Sequence, residues 1–364
     1  MCTCEMTDRN KKTRLCVLFG GRSSEYEVSL RSAYAVLTNA DPEKYDILPV
    51  GITREGLWLF YDGSYERIAD GSWCDDAASM TRVSFALEPG GRSLLLLSAD
   101  GTDVRREKVD LVFPVLHGAY GEDGCVQGLL AVADIPFVGC DSESSAICMD
   151  KAATKRIVEA EGIRQAACIV LLRDLYDPDR DAARVEETLG YPVFVKPARA
   201  GSSVGVTKAK NHQQLLAAIT TAFREDEKIL VEEAIVGHEI EVAVLEEKGT
   251  YTASVCAEIF AGAEFYDYEA KYLSDSSSFC IPAALPEDVS QRVREYAVRI
   301  FRALGCRTLS RVDFFVEEDG GIVFNEINTL PGFTSISMYP KLMMHEGMHY
   351  SELVDRIVRS ALEK

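Results

Sequence analysis

Two short segments near the C-terminus constrain this chain more than anything else in it: Ser310-Arg311-Val312-Asp313-Phe314 and Phe324-Asn325-Glu326-Ile327-Asn328-Thr329-Leu330-Pro331-Gly332. Each reads as a strand with polar residues two apart between apolar neighbours. Successive side chains of a strand point to opposite faces, so Arg311 shares a face with Asp313, and Glu326 with Asn328. Asn and Asp are poor strand residues, so their placement between apolar neighbours calls for a reason beyond strand pairing. Two carboxylates, a carboxamide and a guanidinium form a hard oxygen-ligand cluster with a cation beside it. Such a cluster suits Mg²⁺ shared with substrate phosphates. The plain alternative is a pair of strands with solvated polar faces.

The bulk composition leaves room for this chemistry. A chain of 364 residues accommodates two or three domains. Hydrophobic residues make up 47%, enough for a sizeable core. The formal net charge of −19 argues against nucleic acid or a polyanionic membrane surface as partner. It does not exclude an anionic nucleotide held by a local cluster of cations. No apolar run approaches the roughly 20 residues of a membrane span. Residues 1–14 are polar and lack a signal-peptide core, so a cytoplasmic protein is expected. The 11 cysteines are scattered. Cys16, Cys148, Cys168 and Cys306 lie in apolar runs and read as buried reduced thiols. Cys2 and Cys4 have no partner pair at metal-site spacing.

Residues 14–21 form an apolar run ending in Gly20-Gly21, and a helix is expected at 27–37. That order opens an α/β unit with a parallel sheet. A strand follows at 44–52, a hairpin signal at 84–88 and 93–98, and a second buried strand at 110–116. This last strand runs into the glycine-rich loop His117-Gly118-Ala119-Tyr120-Gly121-Glu122-Asp123-Gly124. A helix from 126 and a short strand at 135–139 come next, then one helix across 142–160. Strands at 168–172, 192–197 and 229–233 alternate with helices at 182–189 and 212–224. From 239 onward strands dominate (239–245, 251–259, 308–315, 321–326), with helices at 286–304 and 350–362.

Several groups beyond the opening cluster carry chemistry. The strand bearing Lys196 leads into Gly201-Ser202-Ser203-Val204-Gly205. Small residues let backbone N–H groups approach phosphate, hydroxyls add donors, and Lys196 adds a point charge. No Gly-Lys-Ser/Thr follows, so this is not a Walker A loop, and an ordinary hairpin would read alike. Lys151 gains meaning only as a second nucleotide-facing cation. Glu232, Glu233 and Glu239 suit an adenine amine and ribose hydroxyls, or a solvated acidic surface. Glu25 and His117 each follow a buried strand, and ligands of open parallel sheets bind beyond the carboxyl ends of strands. Glu25 is therefore a candidate for a substrate ammonium, while His117 orients a group or caps a helix. The absence of Gly-x-Gly-x-x-Gly rules out a dinucleotide fingerprint. The Tyr- and Lys-rich stretch from 265 to 278 suits a lid. The Pro331-Gly332 turn exposes backbone N–H groups, one of which with Arg311 makes an oxyanion site. Ser337 is a candidate carboxylate holder.

These residues, in this order, resemble the ATP-grasp fold and, within it, the D-alanine–D-alanine ligase family. The matching segments (20–30, 115–128, 149–151, 195–205, 232–239, 266–273, 310–313 and 325–340) span nearly the whole chain from Arg14. None is specific alone; together they are. The resemblance implies a mixed α/β and α+β architecture of three domains. These are an N-terminal parallel-sheet substrate domain (1–139) and two α+β domains, central (140–231) and C-terminal (232–364), sandwiching ATP. It implies two Mg²⁺ or Mn²⁺ ions on Asp313, Glu326 and Asn328. Lys151 and Lys196 would bind the ATP phosphates under loop 202–206, which includes Ser203, and Glu232 and Glu239 would read adenine and ribose. Glu25 would hold the ammonium of the first D-alanine, with His117 nearby. Lys271 and Ser337 would hold the carboxylate of the second. Arg311 and the Gly332 N–H would stabilise the tetrahedral centre. Glu25, Ser202 and Tyr272 resemble the family's hydrogen-bonded triad, which ties the lid to the N-terminal domain.

The implied activity is ATP-dependent joining of two D-alanines through an acyl phosphate, for peptidoglycan precursors, by a cytoplasmic homodimer. The D-alanyl-D-serine branch and another ATP-grasp carboxylate–amine ligase are the alternatives. Tyr272 argues against the D-lactate branch, and intact Lys196, Arg311, Asp313, Glu326 and Asn328 argue against an inactive regulatory scaffold. Ala200 stands where many members carry an acidic residue, and Ile336 where His or another polar residue is common.

Overall fold

The computed structural model describes residues 12–98, 100–201, 204–260 and 278–363. The first of three sheets is built on β1 (Thr13–Gly20), whose run from Leu15 to Phe19 is fully buried. It pairs in parallel with β2 (Tyr45–Ile52) on one side and β7 (Leu111–Pro114) on the other. The helix Tyr26–Asn39 makes the crossover and turns Val28, Leu30, Ala33, Val36 and Leu37 inward. Gly20 ends β1 at φ +84, where a Cβ would stand 2.3 Å from the Ile52 carbonyl oxygen, so only glycine fits that turn.

β3 (Trp58–Tyr61), β4 (Met80–Phe85), β5 (Ser93–Leu97) and β6 (Val104–Lys108) extend this sheet antiparallel beyond β2. β4 and β5 are the expected hairpin. β6 is the polar, exposed edge, a composition that resists further strand pairing and hides the strand from a hydrophobic pattern. The strand expected at 135–139 makes only one parallel bridge, Val112 to Phe137.

The second sheet is antiparallel, in the order β10-β9-β11-β8. Its strands are β8 (Cys168–Leu172), β9 (Val193–Pro197), β10 (Thr207–Ala209) and β11 (Lys228–Glu233). Helices Pro178–Thr188 and His212–Glu225 pack on it through Ala182, Val185, Leu215 and Ile219. The helix expected over 142–160 is two, Ser142–Met149 and Lys151–Ala160. They break at Asp150, whose carboxylate accepts from the N–H groups of Ala152 and Ala153 and so caps the second helix.

The third sheet comprises β12 (His238–Glu247), β13 (Thr250–Ala253), β14 (Ala257–Phe260), β15 (Ser278–Cys280), β16 (Leu309–Val316) and β17 (Ile322–Asn328). Its order is β15-β14-β12-β16-β17, with β13 also against β12. The single strand expected over 251–259 is thus two. Ser254 sits at the break, and its Oγ accepts the Ala243 N–H that would otherwise lose its partner. The helix Glu287–Ala303 buries Val289, Val293, Ala297, Ile300 and Phe301. The helix Met338–His345 has no clear sequence signal, because Pro340 reads as a breaker; in a first turn it displaces no hydrogen bond. One core cluster joins Leu15, Phe19 and Phe113 to Phe333, Tyr339, Leu353 and Ile357 near the C-terminus. Among the described residues every cysteine is unbridged, and no helix is long and apolar enough to cross a membrane.

Candidate active site

β12, β16 and β17 lie side by side, which sets Glu241, Asp313 and Glu326 in one row across three strands. In the next row Arg311 faces Asn328. The register shifts after Asp313, leaving Asn325 as the extra residue of a bulge on β17. Bulges commonly re-aim side chains beside active sites. The Arg311 guanidinium forks onto Asp313, Nε to Oδ1 at 2.8 Å and Nη2 to Oδ2 at 2.7 Å. Its Nε also lies 3.1 Å from Glu241 Oε2. Burial works against the Arg311 charge, but Asp313 and then Glu241 outweigh it and raise its pKa well above the ordinary value. Asn328 Nδ2 donates to Asp313 Oδ2 at 3.1 Å, so the amide oxygen is the atom of this side chain with acceptor character toward a cation. Two carboxylates and one carboxamide oxygen fit a hard divalent ion that completes its shell from phosphate. Among the described residues no three His, Cys, Asp or Glu side chains form a metal site by themselves.

The other side of the cleft is cationic. Lys196 Nζ lies 2.6 Å from Glu232 Oε2, and Lys155 Nζ 3.2 Å from Oε1 of the same buried carboxylate. Burial opposes the Glu232 charge, yet Lys196 and then Lys155 hold its carboxyl below the usual range. Lys151, first residue of its helix, donates to the Ala200 carbonyl at 2.9 Å and sits 3.9 Å from Glu326 Oε2. Residue 200 thus meets this lysine through its backbone. A cleft of about 450 Å³ is lined by Lys151, Lys196, Glu232, Glu239, Asp313 and Glu326, among others. A smaller cavity of about 100 Å³ is lined by Glu25, His117, Glu122, Arg311, Gly332 and Ser337. Glu241 and Glu326 border both spaces.

Glu25 is buried at the N-terminus of the helix Tyr26–Asn39. A Cβ on Gly118 or Gly201 would stand 2.9 or 2.7 Å from its Oε2, so two glycine loops close onto that carboxylate. Glu122 is pushed up to about 8 by burial and then by Glu25, although Gly118 N–H donates to it at 2.7 Å. Ser337 precedes the helix Met338–His345; its Oγ accepts from Thr334 N–H at 3.0 Å, and a Cβ on Gly332 would meet it at 2.7 Å. Ser202, Ser203, Lys271, Tyr272 and the lid stretch up to 277 lie outside the described residues.

The structure brings together Asp313, Glu326, Asn328 and Arg311 as a cluster, and Lys151, Lys196, Glu232 and Glu239 around the adjoining cleft. Sequence reasoning missed Glu241, Lys155 and Glu122. Glu241 follows Glu239 at the same two-residue spacing as the opening pairs, and Lys155 lies one helical turn from Lys151; both periods were there to be read.

Residues 14–140 match the family model described as D-ala D-ala ligase N-terminus, and residues 157–359 the D-ala D-ala ligase C-terminus. A D-alanine–D-alanine ligase of Ruminiclostridium cellulolyticum is 47% identical over 365 residues, covering 97% of this chain and 96% of the relative. One of Caldicellulosiruptor bescii is 46% identical over 356 residues, with the same shares of 97% and 96%. Among solved structures, the VanG D-Ala:D-Ser ligase from Enterococcus faecalis is 42% identical with a TM-score of 0.87, over 96% of this chain and 99% of that one. The D-alanine-D-alanine ligase from Coxiella burnetii is 32% identical with a TM-score of 0.85, over 97% and 94%. Family models on both parts of the chain, and relatives this similar along nearly its whole length, agree with the geometry: the chain belongs to the D-alanine–D-alanine ligase family.

Proposed function

We propose that this protein is an ATP-dependent ligase that joins two D-alanines into D-alanyl-D-alanine through an acyl phosphate, for peptidoglycan precursor synthesis. The observation that carries the reading is the wall of Glu241 and Glu326, which borders both the lysine-lined cleft and the cavity holding Glu25 and Arg311. A phosphoryl donor in the first space and an amino acid in the second would meet at that wall.

A carboxylate is a poor acyl donor because its leaving group would be oxide. Transfer of the γ-phosphoryl group to a carboxylate oxygen, with ADP leaving, cures this; it needs in-line placement and charge neutralisation more than covalent help. Lys151 and Lys196 supply cations on the nucleotide side, and Ser202 and Ser203 would add hydroxyl donors to the phosphates. Glu239 reads the nucleoside; Glu232 does so while fixing Lys196 and Lys155. Asp313, Glu326 and Asn328 would hold two Mg²⁺ or Mn²⁺ ions, which neutralise phosphate charge when bound. Glu25 takes the ammonium of the first D-alanine beside His117, and Lys271 and Ser337 take the carboxylate of the second. The second amine then attacks the acyl carbon, phosphate leaves, and Arg311 with the Gly332 N–H meets the charge on the tetrahedral oxygen. The acyl phosphate has to be kept from water, the work of a lid tied down through Tyr272, Ser202 and Glu25. The division at 139 and 231, cytoplasmic residence and a homodimer belong to the same reading.

Phosphate release with ATP and Mg²⁺ tests it, using D-alanine, D-serine and D-lactate singly and in pairs. D-alanine alone should support release and yield the dipeptide; no D-alanine-dependent release overturns the proposal. One observation favours a second reading, a D-alanine–D-serine ligase: the likeness to the Enterococcus faecalis D-Ala:D-Ser ligase. That reading requires the mixed pair to outpace D-alanine alone.

A further inference from the structure

The backbone of residues 330–333 is gripped from outside on both flanks of Gly332. His117 Nδ1 lies 3.0 Å from the Leu330 carbonyl oxygen. A carbonyl only accepts, so Nδ1 carries the proton and Nε2 is left as an acceptor. Ser32 Oγ sits 3.3 Å from Nε2 and therefore donates to it. The same Oγ accepts the Phe333 N–H at 3.1 Å. Ser32 is fully buried in the helix Tyr26–Asn39, where a serine commonly bonds back to its own helix; this one reaches out to a loop instead. Tyr350 adds a second hold by donating to the Phe333 carbonyl. Burial lowers the His117 pKa, in keeping with a neutral ring that has both nitrogens on protein.

We infer that Ser32 is a positioning residue for amide-bond formation: through His117 Nε2 and the Phe333 N–H it fixes the segment whose Gly332 N–H meets the oxyanion. The inference rests on the proposed ligase reading and deepens it. Phosphoryl transfer draws negative charge off the acid, so no oxyanion needs support in that step. The charge appears on the acyl oxygen only when the amine adds. A displaced 330–333 segment therefore slows the second step and spares the first.

Ser32→Ala separates the two. Exchange of ¹⁸O between the β-nonbridging and β,γ-bridging positions of ATP, with D-alanine present, reads acyl phosphate formation; dipeptide is measured in the same samples. Dipeptide kcat should fall by roughly 10- to 100-fold, on the scale of a misplacement of about 1 Å. Isotope exchange should stay within about two-fold of wild type, on the reasoning that ground-state placement is intact. Ser32→Thr, which keeps the hydroxyl, should recover most of the loss. If Ser32→Ala does not fold, Ser32→Cys preserves the volume while bonding weakly, and should show the same split. Unchanged dipeptide formation, exchange falling in step with it, or a threonine no better than alanine overturns the inference. No D-alanine-dependent exchange in wild type overturns the ligase reading, and this inference with it.

Discussion

At the scale of single residues, two charged groups tie the candidate site together. Arg311 is one, because its fork holds Asp313 and Glu241 in register while facing the acid cavity. Arg311→Ala should lower kcat by about 10²–10³-fold, the usual effect of deleting one oxyanion donor. ATP should still bind, as nucleotide titration of the purified variant will show. Lysine in its place restores charge without the fork and should recover little. Glu232 is the other. Glu232→Gln leaves Lys196 and Lys155 buried without their shared carboxylate. A loss of about 3 kcal/mol is expected in urea unfolding at pH 7. Its carboxyl is depressed in the folded state, so its contribution is present above the unfolded value of about 4.3 and fades as pH falls through the folded one. The gap between wild type and variant should therefore close below about pH 4.

At the scale of elements, the break at Asp150 matters more than either helix it separates. A helix continuous over 142–160 fits the hydrophobic pattern, but Asp150 accepts from two N–H groups of the next turn and pairs with Lys228. That puts Lys151 at a helix start lining the lysine-bearing cleft. Asp150→Ala should cost about 1 kcal/mol of stability, the worth of a cap. It should also raise KM for ATP while leaving KM for D-alanine near wild type; a parallel rise in both would assign Asp150 to general folding. β17 teaches a similar lesson. The alternation that paired Glu326 with Asn328 was legible, whereas the bulge at Asn325 was not, because register depends on what the neighbouring strand offers.

At the scale of the molecule, β1 and the helix Tyr350–Leu362 share one core, and a polar clasp closes it. Tyr45 at the start of β2 donates to Asp355 at 2.7 Å, and Lys44 and Arg359 each lie 3.1 Å from the same carboxylate. Asp355→Ala should destabilise by about 2 kcal/mol, since the buried Tyr45 hydroxyl loses its acceptor. Thermal unfolding reads this, with kcat held near wild type. Burial opposes the Asp355 charge, but Tyr45 and Lys44 hold its carboxyl below the usual range. Its stabilisation is thus full at neutral pH and lost on acidification through the folded value, so wild type and Asp355→Ala should converge below about pH 4.

Sequence alone determined the strand-borne cluster, the opening parallel α/β unit, most of the long strands and helices, and the family resemblance, because these depend on periodicity and residue type within one segment. It did not determine that Glu241 would join Asp313 and Glu326, that Lys155 and Lys196 would share Glu232, or that Ser32 would reach Phe333 across 301 positions. Those pairings are set by which strands lie adjacent and which loops meet. No local pattern encodes them, since each is fixed only when distant segments bury their apolar faces together.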